Sequence, residues 1–263
     1  MAEGDSIRRL AARLSSSVAG REVAAAQFRR GGEVPPRFEG DKLLEVAAVG
    51  KHLLMRFGSA RTVHSHLRMQ GSWRIHRPGW RPGPAADRVG AWFDFGPPGV
   101  LAAHAMPVLQ VVPTAREDLA VGHLGPDILT DDWPTAAPAV AAIPGRRIRE
   151  ALLDQRNVAG IGNLWTVEGL FVAGVWPHTP AARVDVPQVL DVIARMMRLG
   201  LRNGTQATTG DLRKGRTHWV YGRYRRPCRR CSTPIAFSPA GPTPYDRETW
   251  WCPHCQPAPG EAS

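Results

Sequence analysis

The sequence lacks the features that would assign it to a membrane, secretory or repeat class. No apolar run reaches the roughly 20 residues that a transmembrane helix needs. No signal peptide opens the chain, which instead begins with acidic residues at Glu3 and Asp5. No internal repeat is present, and no basic amphipathic helix stands out that would bind a membrane surface. These absences predict a cytoplasmic protein with reduced thiols and no membrane contact.

Cysteine is scarce, and its four residues form two C-x-x-C pairs near the end of the chain: Cys228 with Cys231, and Cys252 with Cys255. Two such knuckles, joined by a hairpin of 20 residues, bring four thiolates to the corners of a tetrahedron around Zn²⁺. The spacing therefore predicts one structural zinc ion. Two disulfides or four separate thiols are the alternatives, and both are disfavoured because nothing else indicates a secreted protein.

Positive charge exceeds negative charge, with 34 Lys and Arg residues against 23 Asp and Glu residues and a formal net charge of +11. Eight basic residues crowd between Arg213 and Arg230, beside the aromatic residues Trp219, Tyr221 and Tyr224. Positive groups offset phosphates, and aromatic rings stack on bases. This stretch predicts a nucleic-acid partner. The alternative is a basic surface that serves only solubility.

The order of patterns along the chain predicts an α+β protein with several domains. An apolar stripe predicts a helix over residues 6–18, capped by Asp5 or Ser6 and ended by Gly20. Residues 21–115 carry short apolar segments between Gly and Pro turns, which is typical of a β-sandwich or barrel. These predicted strands cover residues 43–49, 53–57, 62–69 and 108–112, with a long surface loop over residues 76–90.

The second half of the sequence is predicted to be mainly helical. Residues 124–145 read as a linker. Helices are predicted over residues 147–154, from Leu164 to about Phe171, and from Pro187 onward, and the Gly-rich turn NVAGIGN joins the first two. A zinc module is expected to begin near Trp219.

The opening residues, MAEGDS, place a carboxylate directly beside the chain terminus. Removal of Met1 would leave Ala2 as a free α-amine with a pKa of about 7.7 to 8.0, and the positive end of the following helix should lower that pKa further. Such an amine can attack a sugar aldehyde carbon and form a Schiff base, with Glu3 moving the protons. Ordinary helix capping by Glu3 and Asp5 is the alternative.

Six segments, in this order, resemble the formamidopyrimidine-DNA glycosylase and endonuclease VIII family: AEGDS, GKHLL (50–54), SHLRMQGSW (65–73), LGPDIL (124–129), LLDQRNVAGIGNLW (152–165) and VYGRYRRPCRRCSTPI (220–235). The resemblance implies a base-excision repair enzyme with an N-terminal β-sandwich, a helix–two-turn–helix domain and a C-terminal zinc finger with four cysteine ligands. The implied boundaries are 1–123 for the sandwich with its leading helix, 124–217 for the linker and helical domain, 218–256 for the zinc hairpin, and 257–263 for a disordered tail.

The resemblance also implies roles for individual residues. Ala2 stands where the family has an N-terminal proline as Schiff-base nucleophile. Glu3 matches the glutamate that shuttles protons, and Lys51 matches the β-hairpin lysine that contacts phosphate and assists the chemistry. These three residues form the predicted catalytic set.

The predicted DNA-binding set has two parts. Met69, flanked by Arg68 and Gln70, matches the loop that fills the hole left by a flipped nucleotide. Phosphate contacts are expected from residues in the second half of the chain, which are Asn163 at the helix junction, Arg223 in the basic stretch and Arg247 on the zinc hairpin. The implied partner is damaged double-stranded DNA, bound by a monomer in the nucleoid of a bacterial cytoplasm.

Two departures from the family pattern affect the functional prediction. Ala2 supplies a primary amine where proline supplies a secondary one, which predicts reduced Schiff-base chemistry. A damaged-DNA-binding protein with impaired catalysis is therefore the alternative function. The stretch LAAHAMPVLQVVP (101–113) lacks the Arg-Phe loop of the formamidopyrimidine branch, which favours the endonuclease VIII branch and oxidised pyrimidines. A zinc-finger regulator would need a recognition helix, and the sequence shows no convincing one.

Overall fold

The computed structural model describes residues 2–28, 37–83 and 88–260 of the 263-residue chain. The chain divides into two compact units, Met1–His123 and Leu124–Ser263, each with its own hydrophobic core. Among the described residues, no helix is both long enough and apolar enough to cross a bilayer. Of the predicted tail, residues 261–263 lie outside the described residues.

The first helix, α1 (Gly4–Val18), begins two residues earlier than predicted because Glu3, and neither Asp5 nor Ser6, is its N-cap. The Ser6 hydroxyl accepts a hydrogen bond from Glu3 N–H at 3.0 Å, and the Glu3 side chain accepts one from Ser6 N–H. This reciprocal capping box satisfies two backbone donors that a helix start leaves unpaired. The predicted apolar stripe is confirmed and is entirely buried: Ile7, Leu10, Ala11, Leu14 and Val18.

Among its described residues, the first unit also contains eight strands: β1 (Ala25–Phe28), β2 (Leu43–Val49), β3 (His52–Phe57), β4 (Arg61–His66), β5 (Ser72–His76), β6 (Val89–Asp94), β7 (Val100–His104) and β8 (Val108–Pro113). They form two antiparallel sheets of four strands, in the orders β1-β6-β7-β5 and β2-β3-β4-β8. The predicted long loop lies between β5 and β6, and its residues 84–87 lie outside the described residues. A 3-10 turn (Thr114–Arg116) and a short helix, α2 (Asp118–Val121), follow the strands.

Both sheets and α1 bury side chains in one core, which confirms the predicted β-sandwich. Alternate side chains of β3 point into this core, as the two-residue period of a strand requires: Leu53, Met55 and Phe57. Phe57 of one sheet stacks on Phe93 of the other, with 5.5 Å between ring centroids. Each such buried side chain contributes about 1.5–3 kcal/mol to stability.

One end of the second sheet gathers several of the predicted site residues. The register pairs Val49 with His52 and His52 with His66, so the turn at residues 50–51 lies beside the end of β4. His66 in turn pairs with Val108, which places the start of β8 at the same end. The prediction that β4 continues to residue 69 is wrong, because the strand ends at His66 and the chain turns there.

The described part of the second unit, residues 124–260, contains four helices and a two-stranded hairpin: α3 (Ala137–Ala141), α4 (Ile148–Leu153), α5 (Asn163–Ala173), α6 (Val186–Asn203), β9 (Ala236–Ser238) and β10 (Thr249–Trp251). The 3-10 turns Trp133–Ala136 and Ala181–Arg183 connect them. The three predicted helices are confirmed as α4, α5 and α6, with ends shifted by one or two residues.

The interpretation of residues 124–145 as a linker is wrong. Ile128, Leu129, Ala136 and Val140 from this segment are buried in the same core as Trp165 of α5. The segment is rich in Pro and Ala, and its few apolar side chains are spaced too irregularly to show a helical period. Tertiary packing therefore incorporates it into the helical core.

Glu168 joins α5 to the zinc module. Its side chain is fully buried, and its carboxylate accepts hydrogen bonds from the backbone N–H groups of Trp219, Val220 and Tyr221 at 2.7–2.8 Å. The Thr208 hydroxyl also donates to it. A buried carboxylate with four donors is stabilised by charge-assisted bonds, and it orients the chain that leads to Cys228 and Cys231.

Replacing Glu168 with glutamine is expected to reduce the free energy of unfolding by about 3 kcal/mol, because a neutral amide loses charge-assisted bonds and turns its NH₂ group toward backbone donors. Urea unfolding followed by tryptophan fluorescence measures this change. Asp191→Asn is a matched control, since it removes an exposed acid of α6 whose ion pair with Arg195 should contribute only about 0–1 kcal/mol. Equal stability of Glu168→Gln and the control would contradict the proposed role.

Candidate functional site

The predicted catalytic residues Ala2 and Glu3 lie at the start of α1. Ala2 is half-buried and packs against the sandwich core. Glu3 is only 1% exposed, and the capping box holds its carboxylate in place one residue from Ala2. Met1, whose removal the prediction requires, lies outside the described residues. The chain therefore holds a buried carboxylate beside the residue predicted to carry the nucleophile.

Lys51 occupies the two-residue turn between β2 and β3. Gly50 adopts a left-handed conformation with φ 56°, which a tight hairpin turn requires and glycine accepts without strain. Lys51 is half-buried at this turn, at the end of the sheet where β4 also ends.

Met69 lies at the tip of a tight turn that follows β4. The turn is closed by a hydrogen bond from Gly71 N–H to Leu67 O at 2.8 Å. Arg68 adopts a left-handed φ of 47°, and its N–H donates to His66 Nδ1 at 3.1 Å. Met69 is 68% exposed, so it is not a core methionine. An apolar side chain held at a protruding tip has the form of a wedge.

A pocket of about 600 Å³ opens beside this turn, lined by Gln70, Arg88, Ala105, Met106 and Pro107. The Met106 sulfur packs against Gly71 so closely that a Cβ there would lie 2.9 Å from it. The turn and the β7–β8 connection therefore support each other. The sequence does not reveal this pocket, because its lining comes from three separate segments.

Histidines cover the outer face of the same sheet end. His52 Nδ1 lies 2.7 Å from His64 Nε2 in a hydrogen bond, and the His52 ring also contacts His66 and His123. Burial, together with the neighbouring imidazoles, lowers the pKa of His52 to about 3, and burial lowers the pKa of both His64 and His66 to about 4. These three rings are therefore neutral at pH 7, and His66 can accept the Arg68 N–H.

In the second unit, α5 and the β9–β10 hairpin bring Asn163 and Arg247 together. Asn163 is the first residue of α5, and its Nδ2 donates to the backbone oxygen of Glu248 at 2.9 Å. Gly162, not Asn163, is the N-cap of the helix. Asn163 therefore ties the helix start to the residue that follows Arg247, whose own side chain is exposed.

Arg149 supports this arrangement, and sequence reasoning missed it. Its side chain is only 2% exposed; one guanidinium nitrogen donates to Arg247 O at 2.8 Å and another pairs with Asp246. The hydrogen bond joins two residues that are 98 positions apart in the sequence, so no local sequence pattern predicts it. The position of the Arg247 backbone thus depends on a contact from α4.

The side chain of Gln155, just before the NVAGIGN turn, stabilises this turn. Gln155 Nε2 donates to Leu153 O and Ile161 O at 2.9 and 3.0 Å, and its oxygen accepts from Gly160 N–H. Gly160 has a left-handed φ of 94°, which explains the glycine. The turn leads directly into α5, whose first backbone N–H groups form the positive end of the helix dipole.

Arg223 is turned inward. Its guanidinium donates to the backbone oxygens of Trp219 and Pro227, the latter at 2.8 Å. Burial, with the nearby charge of Arg229, lowers the pKa of Arg223. Through these bonds Arg223 stabilises the backbone around the first cysteine pair. Its contact with DNA stays a prediction.

All four cysteines carry free thiols, so the disulfide alternative is wrong. Their sulfurs lie within 4.8 Å of one another, and among the described residues they form a group that could hold a metal ion. Cys228 and Cys255 are 3.9 Å apart, Cys231 and Cys252 are 3.4 Å apart, and Cys231 and Cys255 are 3.5 Å apart. Four sulfurs at about 2.3 Å from one Zn²⁺ would be separated by about 3.8 Å, which fits this cluster.

The close spacing of the four thiols changes how readily they ionise. Hydrogen bonding to Thr233 lowers the pKa of Cys231 to about 6, whereas burial raises the pKa of Cys252 to about 11 and raises that of Cys255 as well. Four thiolates this close repel one another, and a bound dication removes that repulsion. The residues present therefore fit a metal ion.

Comparison with known proteins identifies both halves of the chain. Residues 1–104 match the profile of the formamidopyrimidine-DNA glycosylase N-terminal domain, and residues 124–211 match that of the formamidopyrimidine-DNA glycosylase H2TH domain. A relative from Streptomyces coelicolor, named probable endonuclease 8 2, is 39% identical over 98% of this chain and 95% of its own length. A relative from Mycolicibacterium smegmatis, named DNA-(apurinic or apyrimidinic site) lyase Nei2, is 37% identical over 98% of this chain and all of its own length.

Solved structures share the fold. The formamidopyrimidine-DNA glycosylase of Lactococcus lactis, solved with DNA containing an abasic site, superposes with a TM-score of 0.81 at 20% identity over 97% of this chain and all of that chain. By sequence, the endonuclease 8 relatives are more similar than the formamidopyrimidine-DNA glycosylase of Gluconobacter oxydans, which is 31% identical over 84% of this chain. The chain belongs to the formamidopyrimidine-DNA glycosylase and endonuclease VIII family, within its endonuclease VIII branch.

Proposed function

We propose that this protein is a base-excision repair DNA glycosylase with abasic-site lyase activity that acts on damaged double-stranded DNA. The observation that carries the proposal is similarity along almost the whole chain to relatives named as endonuclease 8 and as an abasic-site lyase. The alternative, a DNA-binding protein with impaired catalysis, finds no support among these relatives. We further propose that it works as a monomer in the bacterial cytoplasm.

The reaction begins with removal of a damaged nucleotide from the duplex, because a base inside the stack cannot be reached. Rotating the nucleotide out costs a few kcal/mol of unstacking. Met69 supports this step, since an exposed apolar tip can fill the vacated space and offset part of that cost. Arg68 and Gln70 flank the tip and can contact the strand beside it.

Chemistry then takes place at the N-terminal amine. The amine of Ala2 attacks C1′ of the sugar, and the bond from C1′ to the damaged base breaks. Glu3 donates a proton as the sugar ring opens and an imine forms. The imine acidifies the neighbouring C2′, so loss of a proton there expels the 3′ phosphate, and a second elimination expels the 5′ phosphate. Lys51 assists by holding a phosphate close to the reacting sugar.

A primary amine at Ala2 lowers the efficiency of this chemistry without abolishing it. Proline would form an iminium that keeps its positive charge, whereas the imine of alanine can lose its proton and become a weaker electron sink. The two amines differ only in that the proline nitrogen carries a second carbon substituent. The amine of Ala2 can therefore still attack C1′.

Each unit carries residues that we assign to contacts with the DNA backbone. In the second unit the phosphate contacts are Asn163 with the backbone N–H groups at the start of α5, and Arg247 on the hairpin. Arg223 contributes from the basic stretch. We assign the substrate as an oxidised pyrimidine, because the connection between β7 and β8 is only residues 105–107 and carries no Arg-Phe loop.

The metal is proposed to be one structural Zn²⁺ held by Cys228, Cys231, Cys252 and Cys255. Zinc with four thiolate ligands leaves no open position for water, so it would supply folding energy and no catalytic chemistry. Its effect on function would come through the hairpin that carries Arg247.

Borohydride reduction of a reaction on abasic-site DNA is expected to trap the protein covalently, and mass spectrometry should locate the adduct at Ala2. Ala2→Pro should raise the trapped yield severalfold, because the iminium of proline stays charged. An extra residue before Ala2 would move the amine by about 3.8 Å and should abolish trapping. Tight binding with Met1 removed and no adduct would contradict the proposed lyase.

A further inference from the structure

A second pocket, of about 670 Å³, lies in the second unit beside the first cysteine knuckle. We call it the basic pocket. Its lining contains five cationic side chains and only two other residues: Lys214, Gly215, Arg216, Arg223, Arg226, Pro227 and Arg229. Asn163 and Arg247 do not line it, whereas Arg223, which is also among the phosphate contacts proposed above, does.

Two of the arginines form the fixed wall of the basic pocket. Arg229 donates from Nε to His218 O at 3.0 Å and from Nη2 to Gly215 O at 2.7 Å. Arg223 donates to Trp219 O and to Pro227 O. These bonds tie the loop around Gly215 to the cysteine knuckle, so the pocket keeps its shape without a ligand.

The other three cations have side chains that are available for a ligand. Among the described residues, neither Lys214 nor Arg226 has a side-chain hydrogen bond or ion pair. Arg216 approaches Asp211 only at 3.9 Å, and that carboxylate is already held by Arg213 through bonds of 2.6–3.1 Å. The basic pocket therefore concentrates positive charge without a matching acid.

The side chains that line the basic pocket determine which class of ligand it can bind. Cations that converge on one cavity repel one another, and an anion with several charges removes this repulsion. The lining offers no aromatic ring and no hydrogen-bond acceptor from a side chain, so it cannot read a nucleobase. The volume exceeds that of one phosphate group, and guanidinium groups bind phosphate oxygens in pairs.

We propose that the basic pocket binds consecutive phosphates of the DNA backbone, as a sequence-independent contact additional to those of Lys51, Asn163 and Arg247. This inference rests on the proposed function, because it takes DNA as the substrate. The contact adds affinity for damaged and undamaged duplexes alike and leaves the chemistry at Ala2 unchanged.

The test compares two variants that lose the same charge. The pocket variant carries Lys214→Gln, Arg216→Gln and Arg226→Gln, and the control carries Arg183→Gln, Arg195→Gln and Arg202→Gln, three exposed arginines of the same unit outside the pocket. Binding to a duplex with an abasic-site analogue is measured at several salt concentrations. Each lost phosphate contact should reduce the slope of log K against log salt by about 0.9, so the pocket variant should lose up to about 2.7 and the control much less.

A scan with neutral methylphosphonates then locates the contact. Wild-type binding should weaken when particular phosphates are neutralised, and the pocket variant should be insensitive at two or three of those positions while Arg247→Ala remains sensitive there. Equal salt slopes for the two variants, or the same scan for the pocket variant and wild type, would overturn the inference. If wild type neither binds nor cleaves abasic-site DNA, the proposed function fails instead.

Discussion

Glu3→Gln is expected to lower the rate of base excision by about 10²–10⁴-fold, the usual contribution of a positioned general acid–base group. Glutamine has nearly the same shape, and its amide oxygen can still accept the Ser6 N–H in the capping box, so α1 should be retained. What the substitution removes is the exchangeable proton beside the N-terminal amine. Single-turnover excision of an oxidised pyrimidine from a duplex measures the loss, and circular dichroism checks the fold.

Ser6→Ala is the matched control for this substitution. It breaks the capping box, because Glu3 N–H loses its acceptor, but it leaves the carboxylate in place. It should cost about 1 kcal/mol of stability, as the loss of a helix cap usually does, and preserve most of the excision rate. A Glu3→Gln variant that excises at the wild-type rate would remove Glu3 from the catalytic set.

Removal of the proposed Zn²⁺ is expected to abolish tight binding to abasic-site DNA. The cysteines share a small core with Val167, Phe171 and Trp250, and a cluster of this size cannot hold the hairpin without a cross-link. Structural zinc supplies about 10–16 kcal/mol of apparent binding energy in isolated finger modules, so its loss should release the hairpin that carries Arg247. Chelation followed by fluorescence anisotropy with labelled duplex measures the effect, and elemental analysis should find one zinc per chain.

Restoration is the control for the chelation experiment. Added Zn²⁺ should recover affinity, whereas Mg²⁺ should not, because a site of four thiolates favours a soft tetrahedral ion over a hard octahedral one. Cys252→Ser should behave like the chelated protein, since Cys252 is fully buried. Full DNA affinity in a zinc-free protein would show that the cysteine cluster is not needed for the proposed DNA binding.

Several features follow from the sequence because their signals are local. The C-x-x-C spacing predicts the cysteine cluster, since two short knuckles need only a hairpin to meet. The apolar stripe predicts α1, because burial of one helix face imposes its period on the sequence. Short apolar segments between Gly and Pro turns predict the strands. The segment GIGN resembles a known turn, and Gly160 with its left-handed φ shows why glycine is needed there.

Other features depend on contacts between residues that are far apart in sequence. In the sequence, Glu168 is a single acidic residue within an apolar helix. In the structure, its carboxylate accepts hydrogen bonds from the backbone N–H groups of residues 219–221. Nothing in the sequence distinguishes Arg149 from other helical arginines, but in the structure its guanidinium donates a hydrogen bond to Arg247 O. The basic pocket forms only when the loop around Gly215 folds against the knuckle at Arg229. Local composition can specify a period, a cap or a spacing, but a buried charge acquires its partner only when tertiary packing excludes water around both.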